Sequence, residues 1–318
     1  MIDIIIPCHN SHSTLDRTLG SILCQRILPS IKVTLVRDGG DFYDDIIKRY
    51  SPVMNIQEIG YDDNGGPGKA RNYGITHTNN EFITFIDSDD VFSGPFAILN
   101  MINEMYSEPG IMIAVCDFIE EIAPSKFKRH TKDITFIHGK MYRREYLERN
   151  NILQNDKEGS NEDVGFNILA MILLKEGEKV KYSTNVTNYW LCNPNSIVRS
   201  NKEVFDYRES FQTFVKNMTY VYSELRKRNL QDEPRILAER IASLGRICNL
   251  FHEKKNKHPE YAEDNIKVVK EFYKKEYEPY EHLVTKEMFD ATYERYPFKN
   301  IFQLPKNELI SFIESLKN

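Results

Sequence analysis

Short apolar runs that resemble buried strands alternate with amphipathic helical patterns through the first part of the chain. The first run, residues 2–6, is rich in β-branched side chains and ends at Pro7, which is typical of a strand buried on both faces of a parallel sheet. We predict further strands at 32–36, 53–59 and 81–86. A strand and a helix recurring every roughly 25–30 residues predict a doubly wound α/β sheet, in which ligands bind beyond the carboxyl ends of the strands.

Polar side chains follow three of these predicted strands where each strand ends. They are residues 7–10, Asp38 and the acidic run 87–90. Because the carboxyl ends of parallel strands meet at one edge of a sheet, we expect these groups to lie together. Clustered carboxylates repel one another unless a cation or ligand neutralises them, so the acidic run suggests a divalent metal holding an anionic substrate. Taken alone, the run is equally compatible with an acidic turn that caps the next helix.

The remaining patterns divide the chain into two regions. We predict helices near 96–106, 144–150 and 160–174, strands at 111–118, 134–138 and 185–191, and a polar, basic connection at 124–132. Ser13 and Asp16 resemble a capping box at the start of the first helix. Beyond residue 200 only helical stripes recur, so we predict one α/β domain over 1–200 and a helical domain over 201–318.

Composition narrows the class of protein. The formal net charge of −5 argues against a dedicated nucleic-acid binder. Five cysteines without a CxxC pair indicate neither a disulfide framework nor a zinc site. The longest apolar stretch, 166–174, is far shorter than the roughly 20 residues that cross a bilayer, and no secretion leader is apparent. We therefore expect a cytoplasmic protein, soluble or peripheral to a membrane.

Two phosphate-binding motifs are rejected and one alternative stays open. The glycine-rich loop at 65–70 has Asp63 in place of the first glycine of a phosphate loop and Ala70 in place of its Ser or Thr. No G-x-G-x-x-G follows the first strand, which disfavours dinucleotide binding. Residues 87–91 also fit the nucleophile motif of haloacid-dehalogenase-like phosphatases, with Asp87 as nucleophile, although that motif normally lies on a first strand and needs a later acidic motif.

Six short motifs in one order resemble those of family 2 glycosyltransferases with the GT-A fold. They are IIIPCHN at 4–10, VRDGG at 36–40, GKARNYG at 68–74, FIDSDD at 85–90, KMYRRE at 140–145 and NED at 161–163. The resemblance covers roughly residues 1–200, and it is the order of the matches that makes it specific. It implies a Rossmann-like, mixed but mainly parallel sheet flanked by helices, followed by a helical C-terminal region.

The resemblance also implies a reaction and its partners. It is the inverting transfer of a sugar from a nucleotide-sugar donor, usually a UDP-sugar, with Mn²⁺ or Mg²⁺ bridging the diphosphate. The acceptor would be a hydroxyl on a glycan, a polymer or a modified nucleic acid. A non-catalytic protein that binds sugar nucleotides is a further alternative.

Residue roles follow from the same resemblance. The resemblance implies that Asp89 is the metal ligand and that Asp163 is the catalytic base, with the alternative that Asp163 is a first-turn residue stabilised by its helix dipole. Apart from the resemblance, His138 is either a contact of the metal or a phosphate or a structural histidine. Asp38 is implied to hydrogen-bond the nucleobase. The full set that we assign to donor binding is Pro7, His9, Asn10, Asp38, Arg71, Asn72, Asp87 and Ser88.

Further side chains outside the motifs are candidates for a functional role. Trp190 is either part of an acceptor wall or core. Ser196 and Arg199 are candidates to close over the diphosphate. The interleaved Tyr and Lys residues of 273–280 are either a surface for an anionic acceptor or a solvated helix face.

Overall fold

The chain forms two compact units, residues 1–194 and 195–318, in a computed structural model. The structure describes residues 1–157, 160–193, 210–295 and 305–317. The predicted domain boundary at residue 200, together with Ser196 and Arg199, lies outside the described residues.

The first unit is built on a mixed sheet. Its order is β3-β2-β1-β4-β8-β6-β9-β5, with β7 paired to β6. The strands of the described residues are β1 (Ile2–Cys8), β2 (Ile31–Asp38), β3 (Asn55–Tyr61), β4 (Phe82–Phe85), β5 (Val91–Phe92), β6 (Ile111–Ala123), β7 (Lys126–His130), β8 (Lys140–Arg143) and β9 (Lys179–Trp190). β1 runs parallel to both β2 and β4, which confirms the predicted central parallel strand. The contacts of β8 with β4 and β6 are antiparallel, so the sheet is mixed as the resemblance implied.

Helices cover this sheet. In the first unit they are α1 (His12–Leu23), α2 (Asp44–Tyr50), α3 (Gly66–Thr76), α4 (Ala97–Tyr106), α5 (Arg144–Arg149) and α6 (Glu162–Ile172). The predicted capping box is wrong, because Ser11 precedes α1 with no side-chain cap. The Asp16 carboxylate instead accepts a hydrogen bond from Arg49, 2.5 Å away.

Two predictions about the middle of the chain are also wrong. Residues 134–138 form no strand, because the carboxylate of Asp133 accepts the backbone N–H groups of Thr135 and Phe136 and closes a turn. The basic connection contains β7 instead. Its residue His130 stacks on Phe118 of β6 with ring centroids 4.4 Å apart, and tertiary pairing of this kind overrides a polar local composition.

The second unit is helical in its described residues. Its helices are α7 (Ser210–Lys227), α8 (Pro234–Lys257), α9 (Ala262–Glu276), α10 (Lys286–Arg295) and α11 (Lys306–Leu316). The apolar stripes predicted along α7, α8 and α11 are buried. Tyr273 and Tyr277 are buried while Lys274 and Lys275 are exposed, so these two tyrosines of that run belong to the core. Among the described helices we find none with the length and apolar character needed to span a bilayer.

Candidate active site

Side chains of α1 and of Ser11, which precedes it, form hydrogen bonds with the acidic turn 87–90. The Thr18 hydroxyl donates to the carbonyl oxygens of both Ser88 and Asp90, at 2.9 and 2.8 Å. Ser88 Oγ donates to Ser11 Oγ at 2.8 Å, and Arg17 binds the carbonyl of Asp89 at 2.6 Å. These contacts fix the backbone of the turn, so that the carboxylates of the turn project from a rigid support.

A buried acid–histidine pair lies beside this turn. Asp90 Oδ2 and His138 Nε2 are 2.7 Å apart, and Asp90 Oδ1 accepts the backbone N–H of Leu191. Burial raises the pKa of Asp90 to about 6, although His138 opposes the shift. Burial would lower the pKa of His138, but the hydrogen bond and charge of Asp90 outweigh it and raise that pKa.

Asp87, Asp90 and His138 could together hold a metal ion. Ligand atoms of Asp87, Asp90 and His138 all lie within 4.8 Å of one another. Within the part of the chain that the structure describes, the buried Nδ1 of His138 has no hydrogen-bond partner. Two carboxylates and an imidazole are donors that Mn²⁺ accepts. The structure therefore places Asp90, which the sequence analysis did not assign to the metal, in this group.

Asp89 is placed differently from the residue role that the motif suggests. Its Oδ2 accepts a hydrogen bond from Asn193 at 2.8 Å, and Asp89 is not in the group of potential ligands. Burial and the nearby charge of Asp87 raise the pKa of the Asp89 carboxyl. Its assignment as a metal ligand stays a prediction.

Arg71 joins the acidic turn to the first turn of α6. It is buried, with Nη2 2.6 Å from Asp87 Oδ1 and Nη1 2.7 Å from Glu162 Oε1. Burial would lower the pKa of Arg71, but the two carboxylates raise it, so the guanidinium stays charged. Charge-assisted hydrogen bonds of this length are strong, and this bridge fixes Glu162 and hence the neighbouring Asp163 relative to Asp87.

Asp163 itself is partly exposed and tied to the segment before β8. Its Oδ2 accepts the N–H of Ile137 at 3.1 Å, and Oδ1 accepts the N–H of Val164 at 2.9 Å. Burial, followed by the charge of Glu162, raises the pKa of Asp163 to about 7, against the opposing charges of Arg71 and His138. A carboxylate with a pKa in this range is suited to general-base catalysis near neutral pH.

Because Asp163 and Asp90 have raised pKa values, they bind protons more tightly in the native state than in the unfolded state, and we expect a pH-dependent loss of stability without metal. The pKa values of Asp163 and Asp90, about 7 and about 6, exceed their ordinary value of 3.8. Their contribution to stability is complete below about pH 4 and is lost as the pH rises through 6 to 7. The contribution of Asp163 is measured by thermal unfolding of the wild type and of Asp163→Asn in the presence of a chelator, over a pH range from acid to neutral. The stability of the variant relative to the wild type should increase as the pH rises. A stability difference that does not change with pH would contradict the raised pKa of Asp163.

Three of the residues predicted to bind the donor lie together at the ends of β1 and β2, and their role stays a prediction. His9 Nδ1 lies 2.8 Å from the carbonyl oxygen of Asp38, and both His9 and Asn10 are exposed. The two carboxylate oxygens of Asp38 accept the N–H groups of Gly65 and Gly66, at 2.7 and 2.8 Å. Asp38 thereby caps the start of α3 and holds the loop before it against β2.

Asn72 and Gly68 hold α3 against the segment that leads to α6. The amide of Asn72 donates to the carbonyl of Gln154 and accepts its N–H, at 2.9 and 2.8 Å. A Cβ on Gly68 would lie 2.9 Å from Glu162 Cγ and 3.1 Å from the carbonyl oxygen of Asn155. The position of Glu162 therefore depends on the absence of a side chain at Gly68.

We expect Gly68→Ala to destabilise the protein by about 1–3 kcal/mol, the usual cost of overpacking. Glu162 has no freedom to move aside, because Arg71 holds it. Gly20→Ala is the matched control: among the described residues, no atom beyond the adjacent backbone of α1 lies within 4 Å of the new methyl group, so it should stabilise by about 0.5–1 kcal/mol. Chemical denaturation measures the free energy of unfolding of both variants. An equal change in the two variants would contradict the prediction.

A cluster of aromatic side chains packs against His138 of the acid–histidine pair. The Trp190 indole stacks on His138 with centroids 5.2 Å apart and lies 5.3 Å from the ring of Phe136. Phe118 and His130 extend it, each within 5.8 Å of Phe136. Phe136 and Trp190 are partly exposed. Of these five, the sequence analysis singled out only Trp190 and His138, since the others carry no local signal beyond strand-like alternation.

Comparison with known proteins identifies the family of this chain. The model of "Glycosyl transferase family 2" matches residues 3–172, more than half of the chain. The uncharacterized glycosyltransferase EpsJ of Bacillus subtilis is 28% identical over 225 residues, 62% of each chain. The poly(ribitol-phosphate) beta-N-acetylglucosaminyltransferase TarS of Staphylococcus aureus is 26% identical over 53% of this chain and 32% of its own. The chain thus spans less than two thirds of the length of either relative.

Solved structures share the fold. A crystal structure of Staphylococcus aureus TarS 1–349 in complex with UDP-GlcNAc superposes with a TM-score of 0.65 and 15% identity, covering 99% of this chain and 90% of that one. The mannosyltransferase PcManGT from Pyrobaculum calidifontis, in complex with GDP-Man and Mn²⁺, gives a TM-score of 0.52 and 13% identity over 94% and 87% of the two chains. The predicted fold class and family are confirmed, and the chain belongs to glycosyl transferase family 2.

Proposed function

We propose that this protein is a metal-dependent inverting glycosyltransferase that moves a sugar from a UDP-sugar to an acceptor hydroxyl on a glycan or polymer. The observation that carries the proposal is the continuous link from Asp87 through Arg71 and Glu162 to the first turn of α6, where Asp163 lies. This link sets a candidate base at a fixed position relative to the acidic turn. Preorganisation of this kind is what a displacement between two bound substrates requires.

The metal part of the proposal is supported by the donor set. The residues that would hold Mn²⁺ or Mg²⁺ are Asp87, Asp90 and His138, and the orphaned His138 Nδ1 is consistent with an additional partner. Bound there, the ion would offset the negative charge of the diphosphate as it leaves. Arg71 keeps Asp87 ionised, because its guanidinium outweighs the effect of burial and lowers the pKa of that carboxyl.

The base part of the proposal rests on Asp163. As the acceptor oxygen forms its bond to the anomeric carbon, the bond from that carbon to the phosphate oxygen breaks and the hydroxyl proton passes to the Asp163 carboxylate. One such displacement inverts the anomeric centre. The N–H groups of Ile137 and Val164 hold the carboxylate in place for this transfer.

The donor part of the proposal is supported by the grouping of His9, Asn10 and Asp38 and by the relatives. Solved structures that share the fold include one in complex with UDP-GlcNAc and one in complex with GDP-Man and Mn²⁺. The family match does not favour the phosphatase alternative, in which Asp87 would be the nucleophile.

A donor screen tests the proposal. Incubation with UDP-, GDP- and TDP-sugars and Mn²⁺ should release nucleotide slowly by hydrolysis, fastest with a UDP-sugar, and a chelator should stop the release. Absence of both nucleotide release and nucleotide-sugar binding across the panel would reject the proposal. Trapping of a phosphate analogue on Asp87 would instead support the phosphatase.

A further inference from the structure

We propose that the partly exposed aromatic pair Phe136 and Trp190 is the acceptor subsite, and that it selects an acceptor whose reacting unit is a cyclic sugar with an apolar ring face. The inference rests on the proposed function and adds to it the chemical class of the acceptor. It is built on three observations: the position of the pair in the sheet, its proximity to the candidate base, and the charges around it.

Strand order separates two sides of the site. The residues His9, Asn10 and Asp38, assigned to the nucleotide, lie at the carboxyl ends of β1 and β2, whereas Phe118 lies on β6 and Trp190 ends β9. Since β4 and β8 lie between β1 and β6, the acidic turn after β4 stands between the two groups. A transferred sugar sits between its nucleotide and its acceptor, so the β6–β9 side is the acceptor side.

The candidate base faces this side. The Asp163 carboxylate accepts the N–H of Ile137, the residue between Phe136 and His138 in the chain. Both of those neighbours contact the Trp190 ring. A sugar resting on the aromatic pair therefore lies beside the group that removes its hydroxyl proton.

The aromatic pair is held rigidly. The Trp190 ring stacks on His138 at an interplanar angle of 17°, and His138 is itself fixed by Asp90. Phe136 packs against Phe118 and His130, at 5.8 and 5.4 Å. A large apolar surface that is rigid before binding loses little side-chain entropy when a ligand covers it.

The surrounding charge distinguishes between possible ligands. Asp163 and Glu120 lie around the cluster, Glu120 through its 2.9 Å contact with His130. The opposing cation Lys140 donates its Nζ to the carbonyl of Phe136, but it is buried and the carboxylates outnumber it. Carboxylates repel phosphate groups, which disfavours nucleic acid and polyol phosphates as the unit bound here. A neutral pyranose has an apolar face for stacking and hydroxyl groups for the carboxylates, so it fits both features of the subsite.

The chain provides its own reporter, because Trp190 is its sole tryptophan. Tryptophan fluorescence is titrated, without nucleotide, with the methyl glycosides of glucose, galactose and N-acetylglucosamine in both anomeric forms. We expect a saturable change with at least one glycoside, and none with ribitol 5-phosphate or oligothymidylate at the same concentrations. Phe136→Ala should weaken the glycoside affinity about tenfold, the order of loss when an aromatic stacking partner is removed. Tyr106→Ala, at the exposed C-terminal end of α4, is the matched control and should bind like wild type.

Transfer kinetics give a second readout that does not depend on fluorescence. In Trp190→Ala and in Phe136→Ala the KM for the glycoside acceptor should rise about tenfold more than the KM for the donor. No saturable signal with any glycoside, an equal signal from ribitol 5-phosphate or oligothymidylate, or equal changes in the two KM values would each overturn the inference. Saturable glycoside binding, with neither nucleotide release nor nucleotide-sugar binding across the donor panel, would leave the subsite standing and reject the proposed function instead.

Discussion

Asp163→Asn is expected to lower the rate of sugar transfer by about 10²–10⁴-fold while donor binding is retained, because the amide cannot accept the acceptor proton. The substitution conserves the shape of the side chain, and an amide oxygen can still accept the N–H of Ile137. Transfer rates with saturating donor and acceptor, and calorimetric titration with UDP-sugar and Mn²⁺, measure the two quantities separately.

Two controls make this result specific. Asp232→Asn changes an exposed carboxylate of the helical unit in the same way and should leave transfer within twofold, given the roughly neutral effect of such surface changes. Arg71→Lys keeps the charge but loses the two-pronged bridge to Asp87 and Glu162, so it should reduce transfer as well. Full transfer by Asp163→Asn would remove the carboxylate from the mechanism, and unaltered cellular function would favour a non-catalytic sugar-nucleotide binder.

The second large effect is on stability, at the edge of the sheet opposite to the acidic turn. Arg144→Met is expected to destabilise the protein by about 3–5 kcal/mol, because it leaves the buried Asp3 carboxylate without its counter-charge. Arg144 Nη2 lies 2.7 Å from Asp3 Oδ2, and Asp3 has no exposed surface. The same guanidinium also donates to the carbonyls of Asn80 and Ile75. Chemical denaturation followed by circular dichroism measures the loss.

The adjacent arginine is a natural control. Arg143 pairs with Glu81 at 2.8 Å, but their side chains are 22% and 42% exposed, so Arg143→Met should cost only about 0–1 kcal/mol. The double variant Asp3→Leu/Arg144→Met removes both buried charges and should lose much less than the sum of its single changes. Equal losses at Arg143 and Arg144 would show that burial of the pair is not what matters.

Most of the fold follows from local patterns. Residues 2–6 predict β1 because β-branched residues in an uninterrupted run favour a strand buried on both faces, and the structure places it between two parallel neighbours. Where the prediction failed, a side-chain hydrogen bond decided the outcome, with a distant partner in one case and with the adjacent backbone in the other. Asp16 binds Arg49 instead of capping α1, and Asp133 turns the backbone where a strand was expected.

In the candidate site, too, some features follow from local sequence patterns and others depend on contacts between distant residues. That polar groups gather after β1, β2 and β4 follows from the sequence, because parallel strands bring their carboxyl ends to one edge. That Asp90 pairs with His138, 48 residues later, and that Arg71 binds Glu162, 91 residues later, does not follow from it. Periodicity reports which face of an element is buried, and it contains no information on which distant side chain lies opposite.

The amino-acid sequence by itself determined the family, the parallel core of the sheet and the acidic turn at its edge, since each depends on short-range spacing and on turn chemistry. Only the tertiary structure decided which carboxylates share a histidine and how Asp163 is linked to Asp87. It also decided that the Trp190 ring packs against Phe136 and His138, and that Asp163 accepts the N–H of Ile137 between them, because these contacts join segments that are distant in the chain.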